Sequence, residues 1–509
     1  MNKFLSLARQ TLGVSFSEAD LSAIRAYIKQ SWRTLRRSNA HLLASAIDVK
    51  AEPTARLRLY VGAGENPSQV RERLRAQLAP GELERVDVLR LPADPLSIGE
   101  PGLLYLPKPY VVPGGRFNEM YGWDSYFTVL GLVRDDELAL ARDMTDNFIY
   151  EIEHYGKVLN ANRSYYLTRS QPPFVTQMLL EVFARTQDRA WLASAIGPLG
   201  KYYTYWTSGT HLTPTGLSRY HGNVAAPAPE VLHHEIDRLG LNHYEHVKRY
   251  FRTHPVTEYD VSRFFDASRD ELTAEFYYAD RAMRESGFDL SARFGPFSAA
   301  ITQYNSIDIN CLLYQWEVDM AAMLRLLGRE GAAQRWAERA LWRAQTINRL
   351  MWDERQGLYR AYNFEQQRQS PNLFITTFYP LWAGIANAEQ AARVAANLPV
   401  FERAWGLQVS DRVTGHQWDA PFGWAPMQVI ADAGLRRYGF RAEADRIAVK
   451  FLALVLRDFL KYGTIKEKYD VVRGESDLAN ELEVGYLSNE VGFAWTNAAF
   501  LVLLENVEK

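Results

Sequence analysis

Beyond Trp123 the sequence consists mainly of long segments in which apolar residues recur at helical spacing, and this regularity restricts the fold more than any other feature. Met320, Met323 and Leu327 illustrate the spacing, and the alternation typical of strands is nearly absent. Most segments come in pairs joined by short loops, and antiparallel helix pairs bury their apolar faces by stacking side by side. The helices are predicted at 124–153, 173–191 with 195–207, 307–327 with 330–352, 374–386 with 388–398, 421–438 with 442–462, and 493–508.

Roughly six such pairs predict an all-α fold that closes into a double ring of helices. The repeat is one of pattern and not of residue identity, so we favour a closed toroidal barrel over an open solenoid, which remains the alternative. Residues 113–509 are predicted to form the barrel. Residues 1–112 are predicted to pack on it as an opening amphipathic helix followed by an irregular arm, rich in Pro and Gly, with at most a small sheet.

The charge balance of the 509-residue chain excludes several classes of partner. Its net charge is −2, so no basic surface is available for nucleic acid or an anionic membrane. The apolar run at the N-terminus is too short for a signal peptide, and no stretch of about 18 apolar residues occurs. We therefore expect a soluble, cytoplasmic protein, whose single cysteine, Cys311, is buried and unpaired. The sequence does not predict the oligomeric state.

An insertion at about 210–275 interrupts the helical pattern with prolines, mixed charges and histidines. None of its histidine groups matches the helical motif of two histidines and a general-base glutamate. We therefore predict no metal and no cofactor, and we interpret the insertion as a segment that shapes or covers a pocket. The candidate metal ligands in it are His233, His234, Glu235, His243 and His246.

Polar clusters that combine aromatic residues, arginine and carboxylates lie at the joints between helices. In a helical barrel the loops at one end of the inner helices converge on a single cavity. A sugar needs flat apolar faces for its C–H surfaces and charged or amide groups for its hydroxyls, and these clusters supply both. Each cluster alone also fits a capped helix start with a buried aromatic side chain. The clusters are at 113–126, 160–173, 285–294, 417–426, 466–470 and 492–497.

The chemistry that these clusters favour is hydrolysis of a glycosidic bond. That reaction needs one carboxylic acid to protonate the leaving oxygen and a second carboxylate to activate water or to attack the anomeric carbon. The sequence has no GxxxxGK[ST] phosphate-binding loop and no base beside its cysteine. A glycoside hydrolase is therefore predicted, and an inactive sugar-binding or scaffold barrel is the alternative of another class.

Four of the clusters resemble the trehalases, glycoside hydrolase family 37. PGGRFNEMYGWDSY at 113–126 and QWDAPFGWAP at 417–426 are similar to the two signature patterns of the family, and NANRSYYLTRSQPP and ESGFDLSARF are similar to further segments. The resemblance, which runs from about Leu103 to Asn497, implies an (α/α)6 barrel and an inverting mechanism. It implies Asp289 as general acid, supported by Arg293, and Glu467 as general base. The substrate-binding residues that it implies are Arg116, Phe117, Tyr121, Trp123, Asp124, Asn160, Arg169, Gln171, Glu230, Gly287, Arg293, Gln417, Trp418, Asp419 and Trp424.

Elementary chemistry adds requirements to these two roles. The carboxyl groups of an inverting pair stand about 6.5–9.5 Å apart, which leaves room for one water. An apolar wall such as Phe288 is expected to raise the pKa of Asp289, and Lys466, Lys468 or an arginine is expected to keep Glu467 ionised. The competing interpretations are a helix N-cap for Asp289 and a surface ion pair for Glu467.

The sequence departs from the family where trehalases carry an Arg-Pro-Glu stretch that reaches the second sugar. Here the stretch reads Ala228-Pro229-Glu230, and alanine cannot donate the paired hydrogen bonds of a guanidinium. Arg238 would fill the vacancy if the insertion aligns differently. We therefore expect an altered leaving-group side, with glucosylglycerol or glucosylglycerate as the substrate and α,α-trehalose as the alternative. The family's lid glutamate is matched by one of Glu481, Glu483 and Glu490.

Overall fold

The computed structural model describes residues 2–50, 56–232, 236–237, 239–478 and 488–509. The α-helices are α1 (Lys3–Leu12), α2 (Glu18–Thr34), α3 (Leu42–Ser45), α4 (Pro67–Arg75), α5 (Gly122–Arg134), α6 (Leu138–Tyr155), α7 (Val175–Thr186), α8 (Arg189–Trp206), α9 (Pro229–Leu232), α10 (His243–Thr253), α11 (Ala274–Glu285), α12 (Ile307–Leu326), α13 (Glu330–Met351), α14 (Tyr379–Ala383), α15 (Ala388–Ala396), α16 (Ala425–Arg437), α17 (Arg441–Tyr462) and α18 (Ala494–Glu508). The strands are β1 (Arg36–Arg37), β2 (Leu57–Val61), β3 (Val86–Arg90), β4 (Leu103–Leu104), β5 (Tyr110–Val111), β6 (Phe265–Asp266), β7 (Glu271–Leu272), β8 (Tyr304–Asn305), β9 (Trp352–Asp353), β10 (Leu358–Tyr359), β11 (Tyr362–Asn363), β12 (Arg368–Gln369), β13 (Glu402–Arg403), β14 (Gly406–Leu407), β15 (Phe422–Trp424) and β16 (Lys468–Asp470).

A closed ring of helices forms the centre of the fold. Each ring helix contacts the next, and the last contacts the first, in the order α5, α7, α12, α14, α16 and α18. Helices α6, α8, α13 and α17 pack outside this ring, each against its neighbour in sequence. The predicted (α/α)6 barrel is thereby confirmed.

The burial of individual helices explains which of them lie inside. Along α5 every residue from Gly122 to Val133 is buried, and α18 is buried almost continuously from Ala494 to Leu504. The outer helix α13 buries only one face, through residues such as Ala333, Ala340 and Ile347. A helix that is apolar all round belongs in an interior, and an amphipathic helix covers it.

The N-terminal helices complete the outer layer of the barrel. Both α1 and α2 pack against α17 and α18, and Phe4, Ile28 and Trp32 belong to the same hydrophobic core as the ring. The Trp32 indole N–H also donates to the carboxylate of Asp135, 2.6 Å away, at the end of α5. The chain start therefore supplies the outer partners of α18, for which the sequence pattern showed no partner. The division of the chain at residue 112 remains a prediction.

The arm before the barrel is more regular than predicted. Its small sheet has β2 paired in parallel with both β3 and β4. Helix α4, which was not predicted, connects β2 to β3 and begins with Asn66 as its cap and Pro67 in its first turn. The helix is short and its apolar face is narrow, with Val70 and Leu74 buried, so the surrounding Pro and Gly residues masked its pattern.

Several predicted helix limits were wrong because turn residues were overlooked. The segment 124–153 is two helices, separated at Asp136, which has a left-handed backbone (φ 62°). Gln187 (φ 53°) ends α7, and Asp188 caps α8. Residues 375–378 form a 3₁₀ turn, so α14 is short, and residues 422–424 form β15 instead of the first turn of α16.

The insertion at about 210–275 contains α9, α10 and the β6–β7 hairpin. Cys311 is fully buried and unpaired, as predicted. Among the described residues, no helix has both the length and the apolar character needed to cross a bilayer.

Candidate active site

Most of the predicted site residues line one cavity. Its wall includes the amino ends of the ring helices α5, α16 and α18, and further residues come from segments far apart in the sequence. The predicted residues that line the cavity are Arg116, Phe117, Tyr121, Trp123, Asp124, Asn160, Arg169, Gln171, Glu230, Gly287, Asp289, Gln417, Trp418, Trp424 and Glu467.

Two predicted residues, Arg293 and Asp419, lie outside the described cavity wall. Arg293 is ion-paired with Asp308 on α12 and stacks its guanidinium over the rings of Phe288 and Phe374. Asp419 accepts a hydrogen bond from the backbone N–H of Ala292 at 2.7 Å. Both side chains contact the loop that carries Asp289, through Ala292 and Phe288.

Asp289 and Glu467 face the cavity together with a third carboxylate, Asp124. Burial raises the pKa of Asp124 well above its usual value, and the nearby Glu467 and Asp289 carboxylates raise it further. Asp124 therefore favours its protonated form. Since the carboxylates of Glu467 and Asp289 both raise the pKa of Asp124, the three groups lie close enough to interact electrostatically across the cavity.

The loop that carries Asp289 depends on a glycine two residues earlier. Gly287 has a left-handed backbone (φ 76°), and a Cβ at this position would lie 2.8 Å from the indole of Trp123. Phe288 packs edge-on against both Trp123 and Trp418. The side-chain amide of Gln417 donates to the backbone carbonyl of Asp289. The sequence thus places the carboxyl of Asp289 beside an apolar aromatic wall.

Glu467 lies at the start of β16, which pairs with β15 so that Lys468 is opposite Trp424. Glu467 is 2% exposed, and its Oε2 accepts a hydrogen bond from the Lys468 ammonium at 2.9 Å. The Lys468 ammonium also lies 5.3 Å from the centre of the Trp424 ring. The partner of Glu467 is therefore a buried lysine, which is inconsistent with the surface ion pair considered as an alternative.

Aromatic rings form the apolar part of the wall. Trp418 and Trp424 stack with centroids 3.9 Å apart and planes within 6°. Trp495 packs edge-on against Trp424 and Trp123, and Phe117 packs edge-on against Tyr121. Rigid aromatic faces of this kind pack against the C–H surfaces of a ligand and exclude water from it.

A buried ion pair forms a polar part of the wall. Arg169 pairs with Glu230 and stacks over the ring of Tyr166. Among the described residues, Nε and Nη1 of Arg169 and Oε2 of Glu230 have no hydrogen-bond partner, although all three atoms are buried. The same holds for Oε1 of Gln417. Buried polar groups are normally satisfied, so these atoms are available to ligand hydroxyl groups.

Sequence reasoning missed two cations in the wall, Lys50 and Arg284. Lys50 is 5% exposed and donates to both carboxylate oxygens of Glu119 at 3.0 Å. Nothing in the sequence around Lys50 signals this position, because the long-range fold brings it there. Arg284, in contrast, directly precedes the ESGFD segment and was detectable from that position. Tyr166, Phe493 and Trp495 also line the cavity and lie within predicted clusters.

The candidate metal ligands of the insertion do not assemble a metal site among the described residues. His243 contacts Asp280 at 3.0 Å, and His246 contacts Asp237 at 2.7 Å. His233, His234 and Glu235 lie outside the described residues, as do Arg238, Glu481 and Glu483. The remaining candidate for the lid glutamate, Glu490, accepts a hydrogen bond from the backbone N–H of Arg116 at 2.8 Å.

Comparisons of the sequence with known proteins point to the trehalase family. The trehalase family model matches residues 90–508. The chain is 37% identical to the cytosolic neutral trehalase of Saccharomyces cerevisiae in an alignment 446 residues long, which covers 80% of this chain and 58% of that protein. It is also 37% identical to the cytosolic neutral trehalase of Kluyveromyces lactis, over 77% of this chain and 56% of that protein. The chain thus spans less than two thirds of the length of these relatives.

Solved structures agree in fold. The neutral trehalase from S. cerevisiae matches with a TM-score of 0.79 and 33% identity, covering 96% of this chain and 94% of that chain. A GH63 mannosylglycerate hydrolase from Thermus thermophilus matches with a TM-score of 0.51 at 18% identity, over 77% of this chain and 95% of that chain. At this low identity the second match shows a shared barrel fold alone.

Proposed function

Because the chain belongs to the trehalase family, we propose that it is an inverting glycoside hydrolase that cleaves α,α-trehalose into two molecules of glucose. One observation carries the proposal: Asp289 and Glu467, from distant parts of the sequence, line the same aromatic-walled cavity. The relatives are named cytosolic trehalases, and a cytosolic location is proposed for this chain as well.

In the proposed reaction Asp289 donates its proton to the glycosidic oxygen as the C–O bond breaks. Glu467 takes a proton from a water molecule, whose oxygen forms the new bond to the anomeric carbon from the opposite face of the ring. The proposed reaction requires the two carboxyl groups to start in opposite protonation states. An aromatic wall around Phe288 stands beside Asp289, and the Lys468 ammonium donates to Glu467 Oε2 at 2.9 Å, so the two carboxyl groups lie in different surroundings.

The leaving-group side decides between the candidate substrates. The sequence favours glucosylglycerol or glucosylglycerate because Ala228 replaces an arginine, and this substitution is the observation that keeps those substrates as the second candidate. The relatives are named trehalases, which favours α,α-trehalose instead. The cavity wall also carries Arg284 and Lys50, so cationic donors for a second sugar are present without the arginine.

Product analysis by proton NMR tests both the bond cleaved and the stereochemistry. The purified protein is incubated separately with α,α-trehalose, glucosylglycerol and glucosylglycerate. An inverting trehalase releases one β-glucose and one α-glucose per trehalose before mutarotation. Release of α-glucose alone would contradict inversion, and faster cleavage of glucosylglycerol than of trehalose would select the second candidate.

Variants of the two carboxylates test their roles. Asp289→Asn and Glu467→Gln are each expected to lower kcat by about 10²–10⁴-fold, the usual contribution of general acid–base groups. Glu330→Gln is the control, because Glu330 is exposed on the outer helix α13. Full turnover in a protein that carries both substitutions would exclude the assigned roles.

A further inference from the structure

The start of α10 contacts a buried carboxylate on a neighbouring helix. His243 Nε2 lies 3.0 Å from Asp280 Oδ1, and the Tyr244 hydroxyl donates to Asp280 Oδ2 at 2.9 Å. All three side chains are nearly inaccessible, with Asp280 2% exposed. The histidine that the sequence offered as a metal ligand therefore serves as a hydrogen-bond partner of Asp280.

Asp280 also contacts a cation of the cavity wall. One turn further along α11, Arg284 Nε lies 3.3 Å from each oxygen of Asp280. Burial by itself would raise the pKa of Asp280, but Arg284, His243 and Tyr244 outweigh it and hold that pKa far below its usual value. Asp280 is therefore ionised. Its carboxylate holds Nε of the Arg284 guanidinium, and Arg284 lines the cavity.

The same network reaches the segment that carries Glu230. The backbone N–H of Ala228 donates to the Tyr244 oxygen at 2.6 Å, while Tyr244 itself donates to Asp280. From α11, Arg281 donates to the carbonyl oxygens of Ala226 and Pro227, at 3.2 and 3.0 Å. Helices α10 and α11 thus hold residues 226–228, directly before the glutamate that pairs with Arg169 in the cavity.

We propose that Asp280 is a positioning residue that fixes Arg284 directly and Glu230 through Tyr244, and thereby determines how tightly the leaving-group half of the substrate is held. The inference rests on the proposed function. It also assigns a role to the insertion: helix α10 supports recognition of the leaving group and takes no part in the chemistry at the anomeric carbon.

Two substrates separate positioning from a general structural effect. α,α-Trehalose has a sugar as its leaving group, whereas α-glucosyl fluoride offers only fluoride there and engages the glucose half alone. In Asp280→Asn one carboxylate oxygen is replaced by an amide NH2 group, which cannot accept hydrogen bonds from the donors that now contact that oxygen. We expect KM for trehalose to rise about 10- to 100-fold, the usual effect of a misplaced binding group. We expect kcat/KM for α-glucosyl fluoride to stay within about threefold, well inside the tenfold change that 1.4 kcal/mol produces.

Tyr244→Phe is the second variant, because it removes one donor to Asp280 and the acceptor for Ala228 while keeping the ring and the charge. It is expected to lower the ratio of kcat/KM for trehalose to kcat/KM for α-glucosyl fluoride, as Asp280→Asn does, but by a smaller factor. His246→Gln is the matched control, because His246 lies on α10 but pairs with Asp237. Its ratio of the two kcat/KM values should equal that of the wild type.

Equal losses on both substrates in the folded variants, or no loss on trehalose, would overturn the inference. A failed proposed function would look different, because the wild-type protein would then release no glucose from α,α-trehalose. If Asp280→Asn does not fold, Tyr244→Phe provides the test. A loss of kcat/KM on trehalose but not on α-glucosyl fluoride then supports the role of Asp280, and equal losses on both substrates, or no loss on trehalose, refute it.

Discussion

Replacement of Lys468 by methionine removes the cation beside the proposed base with little change in side-chain length. Lys468 is fully buried, and its ammonium is 2.9 Å from Glu467 Oε2. Burial lowers the pKa of this ammonium, and the ion pair with Glu467 opposes that change. Without the cation, the charged form of the buried Glu467 loses a stabilising charge 2.9 Å away.

The size of the lost stabilisation follows from the geometry of the two charges. Two unit charges 2.9 Å apart attract by about 6 kcal/mol at an effective dielectric constant of about 20. Neighbouring charges and solvent relaxation offset much of this, and an adjacent cation typically lowers a carboxyl pKa by about 1–3 units. Asp124 faces Glu467, and Arg116 and Glu490 face Lys468, so Arg116 compensates part of the loss. We expect the acidic limb of the pH profile of kcat/KM to move to higher pH by about 1–3 pH units.

The pH dependence of kcat/KM reports this change, because the acidic limb reflects ionisation of the base in the free enzyme. Loss of the cation disfavours the charged form of the proposed base, so Lys468→Met should lose activity first on the acidic side and recover as pH rises. Lys466→Met is the control, since the Lys466 ammonium lies over the ring of Tyr462. An unmoved acidic limb in a folded Lys468→Met protein, or a shift of the basic limb alone, would refute the reasoning.

Two further predictions concern stability. Glu230→Gln leaves the buried Arg169 guanidinium without its charged partner, so urea denaturation should show a loss of about 3–5 kcal/mol of unfolding free energy; a loss below about 1 kcal/mol would mean that the pair behaves as an exposed one. Ile28→Ala should lower the unfolding free energy by about 2–5 kcal/mol without changing KM, because Ile28 is fully buried in the core that α2 shares with the ring. Leu341→Ala, on the exposed side of α13, is its control, and equal denaturation curves for the two variants would contradict this account.

The sequence predicted the barrel because helix periodicity is a local signal that survives over many turns. It failed at helix ends such as Asp136 and Gln187, where a single left-handed residue breaks a pattern that otherwise continues. It also missed that α1 and α2 would cover α18, since packing between the two ends of a chain has no signature in either segment. Long-range packing is therefore the part of this fold that only coordinates reveal.

Short motifs at helix starts predicted residues that line the cavity, whereas wall residues brought in by long-range packing left no sign in the sequence. Trp123, Gln171 and Trp424 lie in or just before the first turns of ring helices, so a short motif at a helix start was enough to place them. Lys50 comes from the arm, and its place in the wall depends on pairing with Glu119. Arg293 fits the motif, but it is ion-paired with Asp308 and is not among the residues that line the cavity.

The two halves of the cavity have different structural support, and this difference bears on how substrate choice is separated from catalysis. The residues proposed for the chemistry, Asp289 and Glu467, are held by the ring and by the β15–β16 pair, which share the main core. Arg284 is held by Asp280, which Tyr244 of the insertion helix α10 contacts, and the segment before Glu230 is held by Tyr244 and by Arg281 of α11. Substitutions in the insertion can therefore alter recognition of the leaving group while the acid and the base keep their positions.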